Sequence, residues 1–231
     1  MSVAGAVAQL ARAGLTLSGG LPIAAYDSLV SPPWRSAELA PGARGALVVG
    51  NAGRTLWERF QESAEAGLTD DPLDRYVRRA LEAAASHWEP RAAVAFYADR
   101  REGVYLPIVA LARRAGFGTP GRIGVLIHPE YGPWLAIRAV LLVPESLSEE
   151  PVAPFDPCSG CPAPCAQACV GLAVGARGLD ARRCYDTRLA DPACAGACAA
   201  RSACVVGRAH AYAPAQLAHH MKIRRPASPP S

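Results

Sequence analysis

The sequence predicts an α+β domain followed by a small cysteine-rich module. Three observations predict it. Segments of strand and helix character alternate through the first part of the chain, all 8 cysteines fall between Cys158 and Cys204, and an acidic, proline-rich run, "PESLSEEPVAPFDP", separates the two. The boundaries that follow are 1–143 for the main domain, 144–157 for a linker, 158–210 for the cysteine module and 211–231 for a basic tail. With 231 residues, 51% of them hydrophobic and 19% charged, the chain can bury a substantial core.

The opening "MSVAGAVAQLARAGLTL" is apolar but broken by Arg12 and lacks the positive flank of an export signal, so it predicts the first helix. The Gly- and Pro-rich stretch after it predicts one short strand within loops. "ALVVGNAG" (46–53) reads as a buried strand, and "RTLWERFQESAEAG" as a helix with Leu56 and Phe60 inward and Gly67 as its C-cap. Asp71 at the N-cap and Pro72 at the first helical position start the next helix, with Leu73, Val77, Ala80 and Leu81 as its buried stripe. "RAAVAFYADR" alternates as a strand, and "YLPIVALARRAGFG" is a helix closed by Gly116 or Gly118. "RIGVLIHPEYGPWLAIRAVLLVPE" predicts two strands joined as a hairpin by a turn near Pro129–Pro133.

The formal charge of +4 is mild, and part of it belongs to the closing "HHMKIRRPASPPS". Basic residues elsewhere are interleaved with acids, so nucleic acid is not expected as a partner. No apolar run approaches the roughly 20 residues of a membrane span, and no membrane is expected. The expected compartment is the cytoplasm, a reducing environment in which clustered cysteines signal metal more often than disulfides.

The cysteines stand at Cys158, Cys161, Cys165, Cys169, Cys184, Cys194, Cys198 and Cys204. Eight thiolates suffice for two [4Fe–4S] clusters, each taking four soft sulfur ligands. Pro162 and Pro164 hold the first loop open for Cys158, Cys161 and Cys165, and a helix starting at Cys165 carries Cys169 toward a second site. The ligand sets are then Cys158, Cys161, Cys165 with Cys204, and Cys169, Cys184, Cys194 with Cys198. The run departs from the bacterial ferredoxin pattern by one extra residue before Cys165 and by Val170 and Val205 where proline is usual. Two four-cysteine zinc sites would consume the same eight thiolates, and disulfides remain as a third chemistry.

By its own chemistry, "HPEYGP" is a turn and His128 a turn residue. The segment "IGVLIHPEYGPWLAIRAVLLVPE" nonetheless resembles the hairpin of the cblC-type (MMACHC-like) cobalamin-processing proteins, in which a His-Pro-aromatic-Gly-x-Trp turn leads into an Ala-Ile-Arg strand. "LTDDPLDRYVRRAL" and "ALVVGNAGRTLWERF" are similar to further parts of that family, and the resemblance runs over roughly residues 14–145. "ALARRAGFGTPGRIGVLIHPEYGPWLAI" is also similar to epoxyqueuosine reductases and corrinoid reductive dehalogenases, whose cobalamin domain is followed by an eight-cysteine, two-cluster ferredoxin-like module.

The resemblance implies a nitroreductase-like fold that binds cobalamin and carries its own electron-transfer module. It implies that Gly118 and Gly132 let backbone approach the corrin, that His128, Tyr131, Trp134 and Ala136 shape the pocket wall, and that Arg138 meets an anionic group. Glu102 falls near the position of a catalytic aspartate in the reductases, which makes it the candidate proton donor, although the surrounding motif differs. No axial cobalt ligand is implied. The expected activity is reduction of cobalt or removal of its upper ligand (cyanide or an alkyl group) with electrons from the clusters. Two rivals stand beside it: a cobalamin-dependent reductase of an organic substrate, and a non-catalytic carrier of corrinoid or electrons holding zinc or clusters. The partners implied are a corrinoid and an electron-donor protein or flavin reductase, and a homodimer is compatible with the reading.

Overall fold

The structure is a computed structural model and describes residues 2–151 and 153–222. The chain divides into two compact units. One comprises Met1–Thr119 with Leu135–Phe155, the other Pro120–Trp134 with the chain from Asp156 onward.

The first unit is built on an antiparallel sheet of β1 (Leu17–Pro22), β2 (Gly45–Ala52), β3 (Ala93–Phe96) and β4 (Leu135–Val143), in the order β1-β2-β4-β3. Interior strands covered on both faces read as unbroken apolar runs. Accordingly β2 is buried along its whole length, and β4 from Arg138 to Val143. On one face Leu47, Val49, Ala139, Leu141 and Val143 share a core with residues of α1 (Val3–Arg12). On the other, Val48, Val140 and Leu142 are equally buried, and α2 (Ile23–Leu29) contacts β1 and β2. The first face is completed by α3 (Thr55–Gln61) and α4 (Pro72–Ala85), and the second by α5 (Ile108–Arg114).

The longest helix, α4, begins as its sequence requires. Asp71 is the N-cap, in the left-handed region at φ 41°, and Pro72 occupies the first helical position. Leu73, Val77, Ala80, Leu81 and Ala84 recur at helical spacing and are all buried. The leucine and valine side chains among them each contribute about 1.5–3 kcal/mol when fully buried.

The register of β2 on β4 shifts once. Val49 faces Ala139 while Gly50 faces Ile137, so Arg138 is the extra residue of a bulge. The side chain of Arg138 is only 4% exposed. Its Nε donates to Asn51 Oδ1 at 2.9 Å, and its Nη1 stands 3.9 Å from Asp74 Oδ1. The Tyr97 hydroxyl donates to the same carboxylate at 3.0 Å.

One expectation is corrected by the structure. The two strands expected to form a hairpin around His128 do not pair with each other; β4 pairs with β2 and β3, and only an isolated bridge joins His128 to Gly132. The reason is burial: β4 is apolar on both faces and takes the centre of the sheet. The stretch 144–157, expected as a linker, makes several side-chain and backbone contacts. Glu145 accepts from Val3 N and Trp88 Nε1, Glu149 pairs with Arg114, and Phe155 O accepts from Thr119 Oγ1, so its acids and carbonyls anchor it to the first unit. Of the expected basic tail, residues 211–222 are described and include a helix at Pro214–Met221; residues 223–231 lie outside the described residues. Among the described residues no helix is long and apolar enough to cross a membrane.

Candidate metal centre

The second unit consists largely of devices that present cysteines. Asp156 Oδ1 accepts from the backbone N–H groups of Cys158 and Ser159, both at 3.1 Å, a side-chain turn that fixes the first cysteine. Pro164 opens α6 (Pro164–Ala168) and places Cys165, the most buried of the eight. Asp180 caps α7 (Ala181–Ala190) by accepting from Arg183 N at 2.9 Å, which sets Cys184 one turn in. Asp191 caps α8 (Pro192–Gly196), which carries Cys194. Cys198 caps α9 (Ala199–Ser202) with its own sulfur, accepting from Arg201 N at 3.4 Å, and Cys169 Sγ accepts from Ala173 N at 3.3 Å. Such N–H groups on sulfur stabilise a thiolate or a metal-bound sulfur.

These devices produce two cavities, each walled by four cysteines. One is lined by Cys158, Cys161, Cys165 and Cys204, with Ile127 and Val206 among its apolar neighbours, and encloses about 20 Å³. The other is lined by Cys169, Cys184, Cys194 and Cys198, with Ile123, Val174 and Met221, and encloses about 290 Å³. Burial pushes the Cys165 thiol up; the Ala166 N–H offsets part of this, and Cys158, Cys204 and Cys161 push it further. Burial likewise raises Cys194, with Cys184, Cys198 and Cys169 adding to the effect. It raises Cys184 too, and there Arg188 offsets part of the shift. The electrostatic neighbours divide as the cavities do. Among the described residues no three His, Cys, Asp or Glu side chains converge where a single ion could be held; the sulfurs surround volumes instead. Four soft sulfurs round one cavity, some already accepting backbone N–H bonds, is a donor set that fits an iron–sulfur cluster.

The loop 128–134 belongs to this unit. His128 and Gly132 exchange both backbone hydrogen bonds at 2.9 Å, and His128 Nδ1 accepts from Glu130 N and Tyr131 N at 3.1 and 3.3 Å. Burial lowers the His128 pKa, which suits a ring nitrogen committed to accepting. The Tyr131 ring lies between those of His128 and His210, at 4.8 and 4.7 Å. Trp134 is packed against Tyr212 and Leu217 of the region around α10 (Pro214–Met221), and the Arg201 guanidinium lies over Trp134 and Tyr212 while donating to Pro133 O. Gly132 and Gly207 both adopt positive φ and meet backbone to backbone. A Cβ on Gly132 would overlap the Val206 carbonyl, and one on Gly207 would overlap Tyr131. Gly207→Ala is therefore expected to detach this loop from the segment after Cys204 and to lower the thermal midpoint of the second unit, read by calorimetry of the full chain; an unchanged midpoint would show that the contact can relax.

The remaining residues implied by the resemblance lie in the first unit. Gly118 is buried with φ 115°, Ala136 lies on β4, and Arg138 is buried against Asn51 and Asp74, so an anionic partner is already supplied by the chain. Glu102 is exposed at the turn between two short paired strands, Arg100–Arg101 and Val104–Tyr105, on a cleft shared with Pro32, Pro33, Glu38 and Arg101. A further cleft of about 630 Å³ is walled by Leu29, Ala110, Arg113, Arg114 and residues 149–151, none of them implied by the resemblance.

No protein-family model matches the chain, and no curated protein matches it. Solved structures do. An epoxyqueuosine reductase in complex with an epoxyqueuosine-modified tRNA stem loop superposes with a TM-score of 0.58 at 14% identity, over 91% of this chain and 66% of that one. The B12-trafficking protein CblC of C. elegans, a human MMACHC homologue, gives 0.56 at 14% identity over 95% and 92% of the two chains. A catabolic reductive dehalogenase, in complex with 3-bromo-4-hydroxybenzoic acid, gives 0.53 at 13% identity over 83% of this chain and 30% of its own. The chain shares their fold. It spans just under two thirds of that reductase and less than a third of the dehalogenase. The expectation that nucleic acid is no partner finds no support here, because one neighbour was solved with a tRNA stem loop.

Sequence reasoning missed the arginines that brace the cysteines. Arg122 donates to Cys158 O and Arg208 to Cys204 O, both at 3.2 Å. The second has a signal in its four-residue spacing from Cys204; the first has none, since its partner lies 36 residues on.

Proposed function

We propose that the chain is a cobalamin-binding iron–sulfur protein whose second unit holds two [4Fe–4S] clusters, one on Cys158, Cys161, Cys165 and Cys204, the other on Cys169, Cys184, Cys194 and Cys198. The observation that carries the reading is the pair of cavities, each walled by four thiols. Loading the first requires its walls to part, since so little free space remains between them. Clusters of this kind take and give single electrons, the currency that reduction of a cobalt corrinoid needs. Cobalamin enters through the fold, shared with a B12-trafficking protein and a reductive dehalogenase, and through the family-like stretch around His128–Arg138. The activity proposed is reduction of cobalt or removal of its upper ligand with electrons supplied through the clusters by an external donor protein or flavin reductase. This chain's own contribution is to seat the cysteines, donate backbone N–H groups to their sulfurs and keep the larger cavity apolar.

The test is anaerobic reconstitution of the full chain with iron and sulfide, followed by titration with cob(II)alamin and turnover of cyanocobalamin by reduced protein. About eight irons and eight sulfides per chain, a changed corrin spectrum and decyanation are expected. Stoichiometric zinc without sulfide would overturn the cluster reading, and an unchanged corrin spectrum the cobalamin one.

A further inference from the structure

On α7, Arg188 follows Cys184 by four residues, so the two lie on one face of the helix. Its Nη2 donates to the Met221 carbonyl at the end of α10, and Met221 lines the larger four-cysteine cavity. Its Nε is buried and, among the described residues, has no hydrogen-bond partner. A guanidinium offers five N–H donors and keeps its proton throughout the accessible pH range, so a buried Nε–H without an acceptor is costly to hold. Cys184 and Thr187 on α7 and Met221 on α10 line that cavity, and Arg188, not itself among the lining residues, is tied to it through the Met221 carbonyl. A donor in this position lacks only an acceptor of the kind a sulfur-rich cluster presents.

We infer that Arg188 tunes the redox potential of the Cys169, Cys184, Cys194 and Cys198 site: its Nε–H donates to a sulfur of the cluster held there, and its charge favours the reduced state. The inference rests on the cluster reading above. Reduction adds one electron from an external one-electron donor, with no bond made or broken. The added negative charge is offset by a fixed positive charge and an N–H···S bond, which raises the potential. Arg188 is a positioning and tuning residue, since nothing requires it to touch a substrate.

The experiment is a mediated redox titration of the reconstituted full chain, followed by electron paramagnetic resonance. Two one-electron waves in the wild type uphold the cluster reading; a chain that takes up no iron and sulfide overturns that reading and this inference with it. In Arg188→Met, which loses both charge and donor, one wave is expected to move down. At a fixed potential the ratio of reduced to oxidised cluster falls about tenfold, equivalent to about 59 mV for one electron, while the other wave stays. In Arg188→Lys, which keeps the charge but not the Nε–H, the same wave is expected to move down by less. Both waves unmoved in Arg188→Met, or both moved together, would overturn the inference. If Arg188→Met does not retain the second cluster, Arg188→Lys decides: a wild-type potential there removes the hydrogen bond to sulfur.

Discussion

Replacing Arg138 by alanine is expected to cost the first unit about 3–5 kcal/mol of stability, the range for breaking a buried ion pair from one side. Arg138 and Asp74 are both nearly inaccessible, at 4% and 7% exposure, so water does not rescue the carboxylate left behind. Asn51, wholly buried, loses the donor to its carbonyl oxygen at the same time. Tyr97 still donates to Asp74, which sets the loss below that of an isolated buried charge. Removing both charges is a different matter, because a buried pair replaced by well-packed neutral groups is often close to neutral in stability. Urea denaturation should thus find Arg138→Met strongly destabilised and Arg138→Met with Asp74→Asn largely recovered. Equal losses in the single and double variants would mean that packing at the bulge, not charge, holds the site.

The second large effect concerns which cysteines act together. The cavities group Cys169 with Cys184, Cys194 and Cys198, and Cys204 with the opening three, the same crossed division that the cysteine spacing predicts. Serine at Cys169 or at Cys194 is therefore expected to leave the same residual cluster, with iron and sulfide falling by about half. Serine at Cys158 or at Cys204 should leave the other. Iron and sulfide analysis with electron paramagnetic resonance distinguishes the two residual species. A Cys169→Ser variant whose residual signal matched that of Cys194-containing sites intact, and not that of Cys194→Ser, would refute the crossed arrangement.

The parts of this fold that could be read from the sequence are those in which one local rule decides. β2 was legible because both of its faces are covered and its apolar run is unbroken; α4 because Asp-Pro starts a helix and the apolar spacing continues it. The pairing of β4 was not legible, since alternation and apolarity identify a strand without naming its neighbour, and the turn at His128–Gly132 looked like the natural connection. α10 was hidden by its basic surroundings, though Pro214 at a helix start and Leu217 against Trp134 mark it in retrospect. The buried setting of Arg138 was not legible for a related reason. Its carboxylate neighbour Asp74 lies on a helix far away in sequence, where no spacing rule connects the two. The division of the cysteines into two sets of four followed from ferredoxin-like chain crossing; the arginines and backbone donors that hold them depend on contacts no spacing rule encodes.

The excursion Pro120–Trp134 means that the second unit is assembled from two separate stretches of the chain. Trp134 covers Tyr212 and Leu217, Ile123 packs with Cys165 and Val174, and Gly132 abuts Val206. A gene cut once, upstream of the first thiol, would yield a fragment stripped of those lids. The module is therefore not portable by simple fusion: a transplant has to bring two stretches of polypeptide, and any recombination that moved only one of them would deliver cysteines without the walls that keep them apart.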